Sequence, residues 1–167
     1  MYKKHLLLIQ LIIALTCGGK AIYAGSYSLH VRFPVSKEDS LILFSYQFLG
    51  TPYKYAGTSP KGFDCSGFVY YVLTHHQVDV PRTSRDMGTV GRVIPMDSAR
   101  PGDIILFKGT NANSKVIGHA GLVTWCDGKD VQFIHSSSNK KHGGVIMSCF
   151  SDSPSYKKPF VKVVRGL

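Results

Sequence analysis

The chain has 167 residues, of which 44% are hydrophobic and 18% charged, enough for one globular domain with its own core. It contains no visible internal repeat or low-complexity tract. Twenty Lys and Arg against ten Asp and Glu give a net charge of +10. Such a balance indicates an anionic partner such as nucleic acid, membrane headgroups or an acidic polymer, although a generally basic soluble surface also explains it.

The N-terminus has the layout of a secretory signal peptide over residues 1–24. Lysines precede the apolar run Leu6–Leu15, and small residues follow it up to Ala24. The run is too short to span a bilayer comfortably. Lipidation of Cys17 is an alternative that would anchor the protein to a membrane. We therefore expect export to the periplasm or cell envelope.

An extended leader is predicted over residues 25–36, followed by a single domain over residues 37–167. The segment SKEDSLILFSYQFLG predicts a helix that begins at Ser36 or Asp39 and ends at Gly50. A Gly- and Pro-rich loop, TPYKYAGTSPKGFD, leads to a second helix, and PRTSRDMGTV predicts a short third helix.

The second half of the chain is rich in strand patterns. RPGDIILF predicts a turn and a buried strand, and GHAGLVTWC, VQFIHSS and GVIMSCF predict a three-stranded meander, because turn-prone segments separate them. PFVKVVRG predicts a last strand. Helices at the front and strands at the back indicate an α+β domain.

If the protein is exported, Cys126 and Cys149 could in principle form a disulfide. Cys126 and Cys149 lie on the outer strands of the predicted meander, so the middle strand separates them by about 9–10 Å. A disulfide requires Cα atoms within roughly 7 Å. We therefore predict two buried thiols at these positions.

Residues 62–73, GFDCSGFVYYVL, place Cys65 at the start of the second helix, which we predict to run from Cys65 to His76. Asp64 is the predicted N-cap, and Gly67 allows close packing or substrate approach. A helix N-terminus carries unpaired N–H groups and lowers the pKa of a cysteine placed there. Cys65 is therefore predicted to be a nucleophile that needs a base.

Two of the seven histidines, His119 and His135, lie in predicted strands among apolar residues. Each alone is explained equally well as a core histidine. On neighbouring antiparallel strands, however, they fall at the same sheet edge. This placement predicts a Cys65–His119–His135 arrangement in which His119 is the base and His135 fixes its tautomer.

Zinc binding by the same three residues is an alternative, because zinc accepts Cys and His ligands. No second Cys or His lies at a close ligand spacing to Cys65, so we predict no metal and no cofactor. Ser66 as nucleophile is disfavoured because GFDCSGF lacks the G-x-S-x-G pattern.

Five segments, LGTPYKYAGTSPKGFDCSGFVYYVL, VPRTSRDM, ARPGDIILF, GHAGLV and FIHSSS, occur in this order between about residues 37 and 165. Together they resemble the signature blocks of the NlpC-type cell-wall peptidases, which are papain-like cysteine endopeptidases of bacteria. The resemblance implies a papain-like fold, with Cys65 as nucleophile, His119 as general base and His135 as third catalytic residue. The implied substrate is the peptidoglycan stem peptide, commonly at the γ-D-glutamyl–diamino acid bond. Nucleic acid is not an expected partner, and we expect a monomer.

The resemblance also implies substrate- or oxyanion-binding residues. Tyr53 matches a tyrosine whose hydroxyl points into the active site, although a ring packed under the loop is an alternative. Asp64 and Ser66 match the motif around the nucleophile, and Ser66 is implied to recognise a substrate amine, although a helix-start role is enough to explain it. Arg82 and Ser84 match a block that lines the cleft, although solvated or helix-capping roles are equally credible.

The chain departs from the family pattern in two respects. Ala56 and Gly57 stand where two glycines are usual, and this is expected to narrow the loop beside Tyr53. We also expect no separate wall-binding domain. A same-fold amidase or acyltransferase on another acyl substrate, and a non-catalytic wall-binding module, are the alternative functions.

Overall fold

The structure is a computed structural model that describes residues 36–109, 116–141, 143–152 and 154–165. The predicted signal peptide, Cys17 and all of the predicted leader except Ser36 lie outside the described residues. Within the described part, no helix combines the length and apolar character needed to cross a membrane.

The described residues form four α-helices, three before the sheet strand β4 and one between β7 and β8. Their bounds are α1 Lys37–Tyr46, α2 Cys65–His75, α3 Ser84–Met87 and α4 Pro154–Lys157, and a 3-10 turn covers Met96–Ser98. Helix α1 begins where predicted, because Ser36 Oγ accepts the Asp39 N–H at 2.9 Å. Helix α2 begins at Cys65 as predicted, and it ends one residue early, with His76 as its C-cap.

In the part of the chain that the structure describes, six strands form one antiparallel sheet, and two very short strands form a separate hairpin. The bounds are β1 Thr58–Ser59, β2 Gly62–Phe63, β3 Arg92–Ile94, β4 Ile104–Lys108, β5 Ile117–Cys126, β6 Val131–Ser137, β7 Gly144–Cys149 and β8 Phe160–Arg165. The order in the large sheet is β3-β8-β4-β5-β6-β7. The predicted meander is β5-β6-β7, so the predicted α+β class is confirmed. The β1-β2 hairpin, β3, α4 and the 3-10 turn were not predicted.

The sheet buries both of its faces. Its helix-covered face packs alternating strand residues such as Leu106 and Leu122 against Phe68 and Val72 of α2. The opposite face carries a second cluster that includes Phe107 and Phe133, together with Val123, Val131 and Val163. Because α2 lies directly on the sheet, its first residue is held beside the strands that carry the histidines.

The loop before α2 is fixed to the sheet and to the helix. Gly50 N–H donates to the Val145 carbonyl at 2.9 Å, and Ser136 Oγ donates to the Phe63 carbonyl at 2.7 Å. A Cβ atom at Gly67 would collide with the Gly57 carbonyl oxygen. Of the two roles predicted for Gly67, the structure supports close packing of α2 against this loop.

Cys126 and Cys149 lie on opposite sides of β6, paired with Val131 and Gln132, and both thiols are free. The predicted absence of a bridge between them agrees with this register. The prediction that they are buried is wrong, because both are half-buried beside the exposed β5-β6 turn. The Cys149 thiol donates to an Asp130 carboxylate oxygen at 2.6 Å.

Ala56 has a φ of 57°, in the left-handed region that favours glycine. Its side chain is exposed, so the departure from two glycines strains the backbone rather than narrowing the loop.

We expect Ala56→Gly to stabilise the protein by about 0.5–1 kcal/mol, because relief of left-handed strain outweighs the added entropy of the unfolded chain. Urea unfolding measures this change. Gly57→Ala is the matched control and should destabilise, since its Cβ would collide with the Gly62 carbonyl. A lower unfolding free energy for Ala56→Gly would contradict the strain at Ala56.

Candidate active site

Cys65 is positioned by the cap of α2. Asp64 has an extended backbone and its Oδ1 accepts the Gly67 N–H at 2.6 Å, which fixes the first turn of the helix. The Cys65 Sγ lies 3.8 Å from the Gly118 carbonyl oxygen. The thiol therefore sits against the β5 backbone at the residue next to His119.

His119 and His135 are hydrogen-bonded to each other. His119 Nε2 lies 2.9 Å from His135 Nδ1, and the two rings are nearly perpendicular, at 89°. Extending the β5-β6 register by one residue places Gly121 opposite His135. A Cβ at Gly121 would lie 2.9 Å from a ring carbon of Phe133 and 3.2 Å from the His135 Cβ, so glycine leaves room for the imidazole. The structure thus brings the two predicted histidines together.

A second layer of hydroxyl groups contacts His135, which is 1% exposed. Its Nε2 lies 3.0 Å from Ser148 Oγ and 3.2 Å from the Tyr156 hydroxyl, and these two hydroxyls are 3.2 Å apart. If His119 offers its Nδ1 lone pair to the thiol, its Nε2–H donates to His135 Nδ1. His135 Nε2–H can then donate to Ser148 or Tyr156, so these hydroxyls are compatible with the tautomers that a base at His119 requires.

Cys65, His119 and His135 line one cavity of about 660 Å³. Its lining includes Tyr53, Cys65, His119 and His135, together with Phe107, Lys108, Gly109, Gly118, Ser137, Ser138, Asn139, Pro154, Ser155, Tyr156, Lys158 and Pro159. The structure therefore brings Tyr53 together with the Cys-His-His set.

The other four predicted binding residues do not line this cavity. Arg82 pairs with Asp64 at 2.6 Å and donates to Ser66 Oγ at 2.9 Å, which stabilises the start of α2. Ser84 is buried in α3. A substrate-binding role for these residues stays a prediction.

The electrostatics of the site differ from the sequence expectation. Burial raises the pKa of the Cys65 thiol, and the nearby Asp64 carboxylate also raises it, while the Ala120 N–H acts in the opposite direction. The expected lowering of this pKa is therefore wrong, because desolvation outweighs the helix start. Burial likewise raises the pKa of Tyr53, with Cys65 and Asp64 adding to the effect, so its hydroxyl stays a donor.

Both imidazoles are held in the neutral form. Burial lowers the pKa of His119 to about 4, although part of the ring reaches the cavity. Burial and the neighbouring His119 lower the pKa of His135 well below its ordinary value. The resting site is thus a neutral thiol beside two neutral imidazoles.

The arrangement does not favour zinc. The nitrogens of His119 and His135 that face each other are joined by a hydrogen bond, so neither is directed at a shared ion. Within the described residues, the group with metal-ligand spacing is Asp130, Cys149 and Asp152, away from this cavity.

We expect the Cys65 thiol to be alkylated by iodoacetamide at a rate that keeps rising above pH 8.5, because its pKa lies above the ordinary value of about 8.5. Peptide-resolved mass spectrometry of the Cys65 peptide measures the rate, and the urea-denatured protein is the control. A rate already at its plateau near pH 6 would instead indicate a thiolate–imidazolium pair at rest.

We expect the double variant Ser148→Ala with Tyr156→Phe to lower kcat by roughly tenfold or more with little change in KM, because His135 Nε2–H loses its acceptors. Each single variant should be milder, since one hydroxyl remains. Steady-state kinetics on a peptide substrate measure this, with Tyr46→Phe on the surface of α1 as control. Additive small effects would contradict the shared role.

The comparisons with known proteins agree with this architecture. The NlpC/P60 family profile matches residues 50–165. The chain is 34% identical over 117 residues to the probable endopeptidase NlpC of Escherichia coli K12, covering 70% of each. It is 32% identical over 118 residues to the gamma-DL-glutamyl hydrolase of Bacillus subtilis 168, covering 70% of this chain but 27% of that protein.

A crystal structure of an NlpC/P60 family protein from Bacillus cereus matches the fold with a TM-score of 0.67 at 30% identity. The match covers 79% of this chain and 41% of that chain, so this chain spans well under half of that structure. The predicted papain-like α+β fold is confirmed by this likeness. On the family match and the shared fold, the chain belongs to the NlpC/P60 family.

Proposed function

We propose that this protein is a cysteine peptidase that hydrolyses peptidoglycan stem peptides in the cell envelope. The observation that carries the proposal is the Cys65 thiol in one cavity with the hydrogen-bonded His119–His135 pair. A thiol, a base and a group that orients the base are the parts that acyl transfer by a cysteine enzyme requires.

In the proposed reaction, His119 Nδ1 takes the thiol proton as Cys65 Sγ attacks the amide carbonyl. The oxyanion is stabilised by backbone N–H groups at the start of α2 and by the Tyr53 hydroxyl. His119 then gives the proton to the leaving amine as the C–N bond breaks. Water, deprotonated by His119, attacks the resulting thioester and releases the acid and the thiol.

The shifted pKa values suit this sequence of steps. Because thiol and imidazole are both neutral at rest, proton transfer accompanies the attack rather than preceding it. Once formed, an imidazolium with a pKa of about 4 is a strong acid toward the leaving amine. The His119 imidazolium then donates its Nε2–H to His135 Nδ1, which holds the ring in place.

The proposed bond is the amide between the γ-carboxyl of D-glutamate and the diamino acid. Relatives are named gamma-DL-glutamyl hydrolase, gamma-D-glutamyl-L-lysine dipeptidyl-peptidase and murein DD-endopeptidase, and two of the three names specify a glutamyl bond. The net charge of +10 suits an anionic cell wall.

An acyltransferase acting on lipids is disfavoured by the cavity lining. Ser137, Ser138 and Asn139 lie along one part of it, and Lys108 and Lys158 along another. A long apolar chain would remove these polar and charged groups from water without offering them hydrogen bonds.

We expect Cys65→Ala to reduce release of diamino acid amines from purified muropeptides by about 10³-fold or more, because no other group can form the acyl enzyme. Liquid chromatography with mass spectrometry of the products measures this and identifies the bond. Cys149→Ser is the matched control and should keep the activity, since this thiol lies outside the cavity. Unchanged release by Cys65→Ala would overturn the mechanism.

A further inference from the structure

Two lysines, one on β4 and one just before β8, line the cavity where these two segments meet. Lys108 is the last residue of β4, and Lys158 lies two residues before β8 begins. The Lys108 N–H donates to the Pro159 carbonyl at 2.7 Å, so the two segments are joined directly. Both lysines line the cavity that holds Cys65 and His119.

No acid balances this pair of charges. All ten Asp and Glu of the sequence lie within the described residues, and none of them lines the cavity. The ion pairs among the described residues involve Arg82 with Asp64 and Arg165 with Asp103, not these lysines. By contrast, Lys162 on β8 donates to the Gly88 carbonyl. Among the described residues, the part of the cavity where β4 and β8 meet is therefore a cationic surface without an acidic partner.

The two lysines lie on the side of the cavity where the leaving amine is expected. The Tyr53 loop is joined to β6 and β7, through Phe63 to Ser136 and through Gly50 to Val145. Strand β5, which carries His119, lies between β6 and β4 in the sheet. An acyl group held between Cys65 and Tyr53 therefore directs the leaving amine past His119 toward β4 and β8.

We propose that Lys108 and Lys158 form a subsite for a carboxylate on the leaving diamino-acid peptide, so that the enzyme prefers substrates in which this carboxylate is free over those in which it is amidated. This inference rests on the proposed peptidase function. An ammonium group beside a partly desolvated carboxylate binds by charge attraction, and an amide offers no charge. Lysine acts as a point charge on a flexible stem, which suits carboxylates at differing distances from the cut bond.

The test compares two synthetic substrates, γ-D-glutamyl-diamino acid peptides with a free carboxylate or a carboxamide on the leaving residue. The readout is the ratio of kcat/KM for the free acid to kcat/KM for the amide. We expect wild type to prefer the acid by about tenfold or more. Lys108→Met and Lys158→Met should each lower this ratio about three- to tenfold, mainly by raising KM for the free acid. The double variant should bring the ratio close to one.

Lys129→Met is the matched control, because Lys129 is exposed on the β5-β6 turn outside the cavity. It should keep the wild-type ratio. A ratio near one in wild type, or a ratio that the lysine variants leave unchanged, would overturn the subsite while leaving the peptidase intact. A variant that only folds poorly lowers both rates together and so does not move the ratio.

If wild type cleaves neither substrate, the proposed bond is wrong, and the subsite is then tested by binding. Calorimetry with Cys65→Ala compares the affinities for the two peptides, with and without Lys108→Met. Tighter binding of the acid that disappears in the lysine variant would support the subsite. Equal binding of acid and amide would overturn it.

Discussion

The Asp64 carboxylate is the constraint on which the site depends. It accepts the Gly67 N–H and pairs with Arg82, so it fixes the start of α2 and ties that start to the segment that precedes α3. Burial is the main cause of the raised pKa of the neighbouring Cys65 thiol, and the same carboxylate adds to it. The contacts that fix the sulfur therefore also keep the thiol protonated. In the proposed reaction, a base must remove its proton during the attack.

A chain of hydrogen-bonded side chains that begins at His119 orients the base that this protonated thiol requires. His119, His135, Ser148 and Tyr156 are linked by contacts of 2.9 to 3.2 Å in a largely apolar setting with Phe107 and Phe133. In such surroundings an unsatisfied ring nitrogen is costly, so each group limits the orientation of the next. The chain ends in hydroxyls rather than a carboxylate, which keeps the whole set uncharged at rest.

Much of the fold was predictable because its signals are local. The α2 start follows from Asp64 next to Cys65, and the His119–His135 meeting follows from strand alternation and short turns. Strands β1 to β3 were not predicted because two or three residues are too few to show the alternation of apolar and polar residues that indicates a strand. The thiol pKa was misjudged because burial depends on the assembled fold. Ser148 and Tyr156 lack a sequence signal, since an ordinary strand serine and a tyrosine in a four-residue helix become partners only through the packing of β7 and α4.

The Cys65 sulfur contacts a backbone carbonyl 53 residues later in the chain, and the last hydroxyl behind His135 comes from Tyr156 in α4, between β7 and β8. Each part alone is unremarkable: an ordinary thiol, two imidazoles and a phenol. The reactive set comes into existence only when the sheet has closed from β4 through β7 and α2 has docked on it. An incomplete or unfolded chain therefore lacks the proposed active site, which is assembled only together with the native state.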